Sequence, residues 1–264
     1  MIALVYRSFA RVARPLLSLI AVLGVFQVAI IAAAASFADA GDFDRLAQLT
    51  PAFLLQTLGP ALTSFDGMVT IGYLHVLVVM LLVQFAIYLA TEPAGDIESG
   101  LVDLVLARSL PRHWLVSRSL LVMMVSVVGL TAAMAVASWA GLWWLAPEGV
   151  RWPEPRIVLT FVVYLTMTAW CFGGAALAAS AWARRRAAAL GGVAIAAFAA
   201  YLIDLLGLMW APARTFARLS PFHYFRGSAI LAGTADPVRD LGVLGALTIV
   251  AIALAYWRFR TRDL

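Results

Sequence analysis

Six long apolar segments constrain this chain more than any other feature of its sequence. A bilayer core of about 30 Å needs about 20 apolar residues in each helix that crosses it. The candidate spans are residues 15–37, 69–90, 120–145, 157–181, 187–209 and 241–257, and only Asp204 is formally charged within them. The chain is 64% hydrophobic and 12% charged, which excludes a soluble domain and a disordered chain. We therefore expect an all-α polytopic membrane protein in which residues 1–264 form one transmembrane domain.

Two absent residue types limit the chemistry of the chain. It contains no lysine, so all 19 basic residues are arginine, and it contains no asparagine. Without lysine there is no phosphate-binding loop, because that loop needs its lysine on the β- and γ-phosphates. The single cysteine, Cys171, excludes an internal disulfide, and the three histidines lie in separate regions. We expect no catalytic, cofactor-binding or metal-binding residue, and any ATP must be bound by another chain.

The arginines indicate the orientation of the spans. Six spans place both termini on one side of the membrane, with twelve arginines on that side and seven on the other. Positive residues concentrate in cytoplasmic loops, so we expect both termini in the cytoplasm and no nucleic-acid partner behind the net charge of +5. Residues 1–14 alternate apolar and basic side chains, which favours an interfacial helix; an ordinary basic flank is the alternative.

The cytoplasmic loop of residues 91–119 carries the main signal. Pro93 and Gly95 are expected to end the helix of the second span. A short amphipathic helix then fits residues 97–107, with an apolar face of Ile97, Leu101, Leu104 and Val105. Such a helix suits docking in a partner's groove, or it lies on the lipid headgroups.

Three stretches resemble the permeases of ATP-binding-cassette transporters of the type-2 exporter class. Residues 98–108, Glu-Ser-Gly-Leu-Val-Asp-Leu-Val-Leu-Ala-Arg, resemble the cytoplasmic motif of that family, which has Gly-Thr-Leu where this chain has Ser-Gly-Leu. The family's Pro-x-Ser-Arg is Ser-Leu-Pro-Arg here, at residues 109–112. Residues 219–225, Leu-Ser-Pro-Phe-His-Tyr-Phe, and the terminal Arg-Asp-Leu resemble two further family segments.

The resemblance implies a half-transporter of the bacterial cytoplasmic (inner) membrane. A second permease copy would complete a homodimer surrounded by membrane lipid, and two separate ATPase subunits would bind ATP and Mg. It also implies an outer segment, residues 211–240, of which residues 215–233 dip back into the membrane. The residues expected to dock the ATPase are Ile97, Glu98, Leu101, Asp103, Leu104 and Arg108.

Three polar residues inside the spans are candidates for a substrate path. Asp204 either contacts a substrate or pairs with Arg214 or Arg218 near the outer interface, since a charge within a span is costly. Gln84 and Tyr88 share one face of the second span and either contact a substrate or form interhelical hydrogen bonds.

Two other functions remain alternatives to transport. A membrane scaffold or sensor would have the same spans but would not stimulate a partner's ATP hydrolysis. An intramembrane enzyme would need histidines and a carboxylate, or a serine and a histidine, to meet inside the bilayer. The substrate and the direction of transport do not follow from the sequence.

Overall fold

The computed structural model describes residues 2–40, 45, 48, 61–62, 64–100 and 113–261. Seven helices account for most of these residues: α1 (Ile2–Ala40), α2 (Phe65–Leu74), α3 (Val76–Ala90), α4 (Glu92–Glu98), α5 (His113–Leu145), α6 (Pro155–Trp182) and α7 (Arg186–Met209). The segment that the sequence analysis expects to lie outside, called the outer segment below, follows with 3-10 turns at Ala211–Ala213 and Pro221–Tyr224 and short helices α8 (Arg214–Ala217) and α9 (Gly227–Leu231). The last helix is α10 (Pro237–Thr261), and no strand occurs within the described ranges.

Six stretches of this structure are long and apolar enough to cross a membrane. They are Val5–Asp39, Phe65–Glu98, His113–Leu145, Pro155–Trp182, Arg186–Met209 and Pro237–Thr261. The expected all-helical class with six membrane-length helical stretches is thus confirmed, and each stretch overlaps one of the six apolar segments of the sequence.

The N-terminal residues differ from the expected separate interfacial helix. Helix α1 runs without interruption through Pro15 for 39 residues, which is about 58 Å at 1.5 Å per residue. Proline removes one backbone donor and usually bends or ends a helix. Here Val12 and Leu23, on either side of Pro15, are both buried in the main core, and this packing holds the two parts of the helix in line.

The second apolar segment contains a break that the sequence pattern did not predict. Helix α2 ends and α3 begins at His75, whose backbone is extended (φ −62°, ψ 128°). The imidazole Nδ1 accepts a hydrogen bond of 3.3 Å from the N–H of Leu77 and so caps α3. Its ring lies 5.1 Å from the ring of Phe26 in α1. The residues expected to form one span therefore form two helices.

Helix α6 lies at the centre of the bundle and packs against α3, α5 and α10. Its large side chains Phe161 and Tyr164 are fully buried. Helix α1 packs along α5 and α2 on one side, where a smaller outer cluster includes Ile31, Phe65 and Leu142. By contrast, α7 buries only Ala189, Ala197 and Gly207 among its own residues. One side of α7 is therefore left without a neighbour among the described residues.

Candidate functional site

A buried network of charges surrounds the short helix α4. Glu92 and Asp96 are four residues apart, so they project from the same face of this helix. That face meets Arg118 in the second turn of α5, which forms an ion pair with Asp96 and lies 3.6 Å from Glu92 Oε1. The same carboxylate oxygen of Glu92 accepts hydrogen bonds from Arg11 Nη1 at 3.0 Å and from Ser8 Oγ at 3.3 Å, both in α1.

The charges of this network balance. Two guanidinium groups face two carboxylates, and the side chains of Glu92, Asp96 and Arg118 are each less than a tenth exposed. A buried charge is tolerated only when it is paired and hydrogen-bonded, since removing one partner leaves the other charge desolvated. The network therefore fixes α4 to the ends of α1 and α5.

A second set of contacts fixes α4 to α3 and α7. Glu98, the last residue of α4, accepts a hydrogen bond of 2.9 Å from the backbone N–H of Arg186, at the start of α7. The Arg186 side chain donates to the carbonyl oxygen of Tyr88 at 2.9 Å and lies 4.6 Å from the centre of the Tyr88 ring. These bonds satisfy backbone groups that helix ends otherwise leave unpaired. Helix α4 is thereby bonded directly to α1, α5 and α7, and Arg186 links it to α3.

Only two of the six expected docking residues lie among the described residues. Ile97 packs against the main core, and Glu98 contacts Arg186. Leu101, Asp103, Leu104 and Arg108 lie outside the residues that the structure describes. The expected start of the docking helix at Ile97 is wrong, because α4 spans Glu92–Glu98 and a turn with Gly100 at φ 70° follows it. Pro93 lies in the first turn of α4, where its fixed φ and missing N–H are tolerated, so it starts a helix rather than ending one.

The residues of the charge network were missed as a site by the sequence analysis. Glu92 and Asp96 carried a usable signal, because two acids spaced i, i+4 beside a proline are typical of a short helix with one acidic face. Their partners Arg11 and Arg118 carried no such signal. Arg11 is 81 residues from Glu92 and Arg118 is 22 residues from Asp96, so both pairings depend on how the helices pack.

The three candidate residues for a substrate path do not meet in one place. Tyr88 contacts Arg186, at the beginning of α7, and Gln84 lies one turn away from Tyr88 on α3. Asp204 is 18 residues further along α7 than Arg186, which corresponds to about 27 Å. The Gln84 side chain forms no hydrogen bond with any described residue.

Asp204 instead belongs to a polar cluster with the outer segment. Its Oδ1 lies 3.4 Å from Nδ1 of His223, and both side chains are about one-fifth exposed (21% and 20%). The side chain found beside Asp204 is thus His223, not Arg214 or Arg218. Helix packing decides this, because the turn after Trp210 brings α8 back along α7 and directs residues 221–224 toward the bundle.

The aromatic residues beside His223 are inserted between helices. Phe222 is buried and stacks on Phe172 of α6, with ring centres 4.9 Å apart. Phe225 lies 6.1 Å from the Tyr164 ring. Since Phe172 is 17 residues from the start of α6, these contacts lie about 25 Å from that end of the helix.

The fold defines an all-helical, multi-pass membrane protein with two polar clusters, one around α4 and one around His223. No family model and no curated protein sequence matches this chain.

Proposed function

We propose that this chain is the permease subunit of an ATP-driven transporter of the type-2 exporter class. It pairs with a second permease copy as a homodimer in the bacterial cytoplasmic membrane, with both termini in the cytoplasm. Two separate ATPase subunits bind ATP and Mg, and they drive a substrate across or out of the membrane. The chain itself performs no catalysis.

One observation carries this proposal: charged side chains bond α4 to α1, α5 and α7, and Arg186 bonds α7 in turn to α3. Transport requires that ATP binding in one subunit moves helices in another. This needs a rigid element that contacts the ATPase on one side and the permease helices on the other. Helix α4 directly precedes the motif that resembles the family's docking loop. A partner that pulls on this loop would act through Glu92, Asp96 and Glu98 on α1, α5 and α7 together.

Two further features support the proposal. The apolar side of α7 that no other described part of the chain covers includes Ile195, Phe198 and Leu206, and each of them is at least half exposed. A second permease copy would cover this side. The insertion of Phe222 and Phe225 between helices supports the re-entrant outer segment that the family resemblance implies.

The proposal is tested by docking of the ATPase. Changing Leu101 and Leu104 together to Ser removes the two apolar anchors, each worth about 2 kcal/mol or more when truncated. The partner ATPase, identified by its co-purification with the wild-type chain, should be released while the permease stays monodisperse in detergent. The matched control changes Leu208 and Leu219, both exposed on the outer part of the chain, to Ser.

Three results would contradict the proposal. If the wild-type chain co-purifies with no ATPase, the transporter assignment fails. If the Leu101 and Leu104 variant keeps its ATPase at wild-type affinity, this loop is not the dock. If the bound ATPase hydrolyses ATP at the same rate with and without the permease, a scaffold or sensor function replaces transport.

A further inference from the structure

The His223 ring lies between a carboxylate, that of Asp204 in α7, and a guanidinium group, that of Arg226. On one side, Nδ1 faces Asp204 Oδ1 of α7 at 3.4 Å. On the other side, Nε2 lies 3.3 Å from Nη2 of Arg226, and the Nε of Arg226 donates to the His223 carbonyl at 3.1 Å. The imidazole is therefore held on both ring nitrogens.

These contacts determine the protonation state that fits the site. A guanidinium group only donates hydrogen bonds, so Nε2 must offer its lone pair to Arg226. The ring proton is then on Nδ1 and faces the carboxylate of Asp204. A protonated ring would place a second donor and a second positive charge against Arg226.

We propose that Asp204, His223 and Arg226 form a pH-sensitive latch that holds the outer segment in the bundle when His223 is neutral and releases it when His223 is protonated. The latch holds residues 221–231 against the bundle. This range includes the inserted Phe222 and also Gly227, which lies in close contact with Leu74. A Cβ on Gly227 would lie 2.1 Å from Leu74 Cδ2, so this backbone lies directly on α2. Release would uncover the surfaces of α2 and α6 on which Gly227 and Phe222 pack.

The charges around His223 set the direction of the effect. Three arginines face it, and they outnumber the two carboxylates that would favour protonation: Arg226, Arg218 and Arg239 against Asp204 and Asp240. Tyr201 of α7 lies next to Asp204, and Tyr224 contacts the imidazole edge-on. Burial, followed by the nearby Arg226 and Arg218, lowers the pKa of His223 below its usual range.

The sign of the pH dependence follows from linkage. A histidine whose pKa is lowered in the latched state binds fewer protons there than in the released state. The latch is therefore at full strength above the ordinary histidine pKa of about 6.5, and it weakens as the pH falls below that value. Between about pH 7.5 and about pH 5.5 the released population should rise by up to about tenfold.

Cysteine labelling of the purified chain in nanodiscs tests the latch without any ATPase, so its result is independent of the transport proposal. Ile230→Cys, in a Cys171→Ala background, places a thiol at a buried position within residues 221–231. Thr215→Cys, at an exposed position of the outer segment, corrects for the pH dependence of the thiol reaction. The ratio of the two maleimide rates should rise by up to about tenfold on acidification.

Three variants separate the latch from general acid sensitivity. His223→Gln cannot titrate and should give a ratio that does not change with pH. Arg226→Gln removes the positive charge that opposes protonation of His223 and should reduce or abolish the pH response. Asp204→Asn keeps Arg226 and should retain the pH response. A pH-independent ratio in the parent chain, or a full response in His223→Gln, would overturn the proposal.

Discussion

The guanidinium of Arg118 pairs with the carboxylate of Asp96 where both side chains are almost out of contact with water, at 8% and 5% exposure. The two residues belong to different helices, α5 and α4, and Glu92 shares the same guanidinium. An ion pair at this depth links the helices because neither charge can be left alone.

Removing one member of this pair should therefore be costly. Arg118→Ala leaves Asp96 and Glu92 partly unpaired and should destabilise the chain by about 3–5 kcal/mol. A thermal unfolding series in detergent measures the shift. Arg151→Ala is the matched control, because it breaks the exposed Arg151–Glu154 pair, which is worth about 0–1 kcal/mol at most. Equal shifts for the two variants would mean that the buried ion pair contributes no more to stability than the exposed one.

Gly72 should tolerate no side chain. A Cβ at this position would lie 1.7 Å from Oε1 of Gln27, whose Nε2 donates a buried hydrogen bond of 2.9 Å to Ser138. Gly72→Ala must displace Gln27 and should cost about 1–3 kcal/mol. Gly129→Ala, which meets open space, serves as the control, and adding Gln27→Ala to Gly72→Ala should recover part of the loss. The stability of each variant is measured as its thermal unfolding midpoint. A Gly72→Ala protein as stable as wild type would refute the close contact between Gly72 and Gln27.

Two adjacent arginines should differ in importance. Arg186 donates to the Tyr88 carbonyl and lies over the Tyr88 ring, whereas Arg185 is exposed and its side chain forms no hydrogen bond or ion pair with any described residue. Arg186→Ala should lower stability by about 1–2 kcal/mol through the lost hydrogen bond and cation–π contact. Arg185→Ala should leave the unfolding midpoint unchanged. The reverse order of effects would show that α7 is not held to α3 through this side chain.

The arginine distribution predicts that the 183–185 turn faces the cytoplasm and that Glu148 faces outside. In a Cys171→Ala background, an impermeant maleimide added to intact cells should label Glu148→Cys and should label Arg185→Cys only after permeabilisation. Both positions are exposed, so access to the reagent, rather than burial, decides the result. Labelling of Arg185→Cys in intact cells would reverse the topology.

The absence of lysine predicts that the isolated chain does not bind ATP. A phosphate-binding loop needs its lysine, and all 19 basic residues here are arginine. Photolabelling of the pure subunit with an azido-ATP analogue should therefore show no saturable signal. Saturable labelling that excess ATP displaces would show a nucleotide site in this chain.

The sequence alone determined the class of the protein, because the property that makes a segment a membrane span is local to that segment. About 20 apolar residues in a row must satisfy their own backbone hydrogen bonds in a bilayer, and only a helix does so within one segment. Each of the six apolar segments could therefore be assigned without knowledge of its neighbours. The same local logic identified the loop after the second span and the unusual position of Asp204.

The tertiary structure alone decided which polar groups meet. Arg11 reaches Glu92 across 81 residues, and Asp204 meets His223 rather than Arg214 or Arg218. Pro15 does not end α1, since packing on both sides outweighs the local penalty, whereas His75 interrupts the second segment without any proline. Such pairings depend on the crossing and register of whole helices, which no short stretch of sequence encodes, and they place the two polar clusters of this membrane protein.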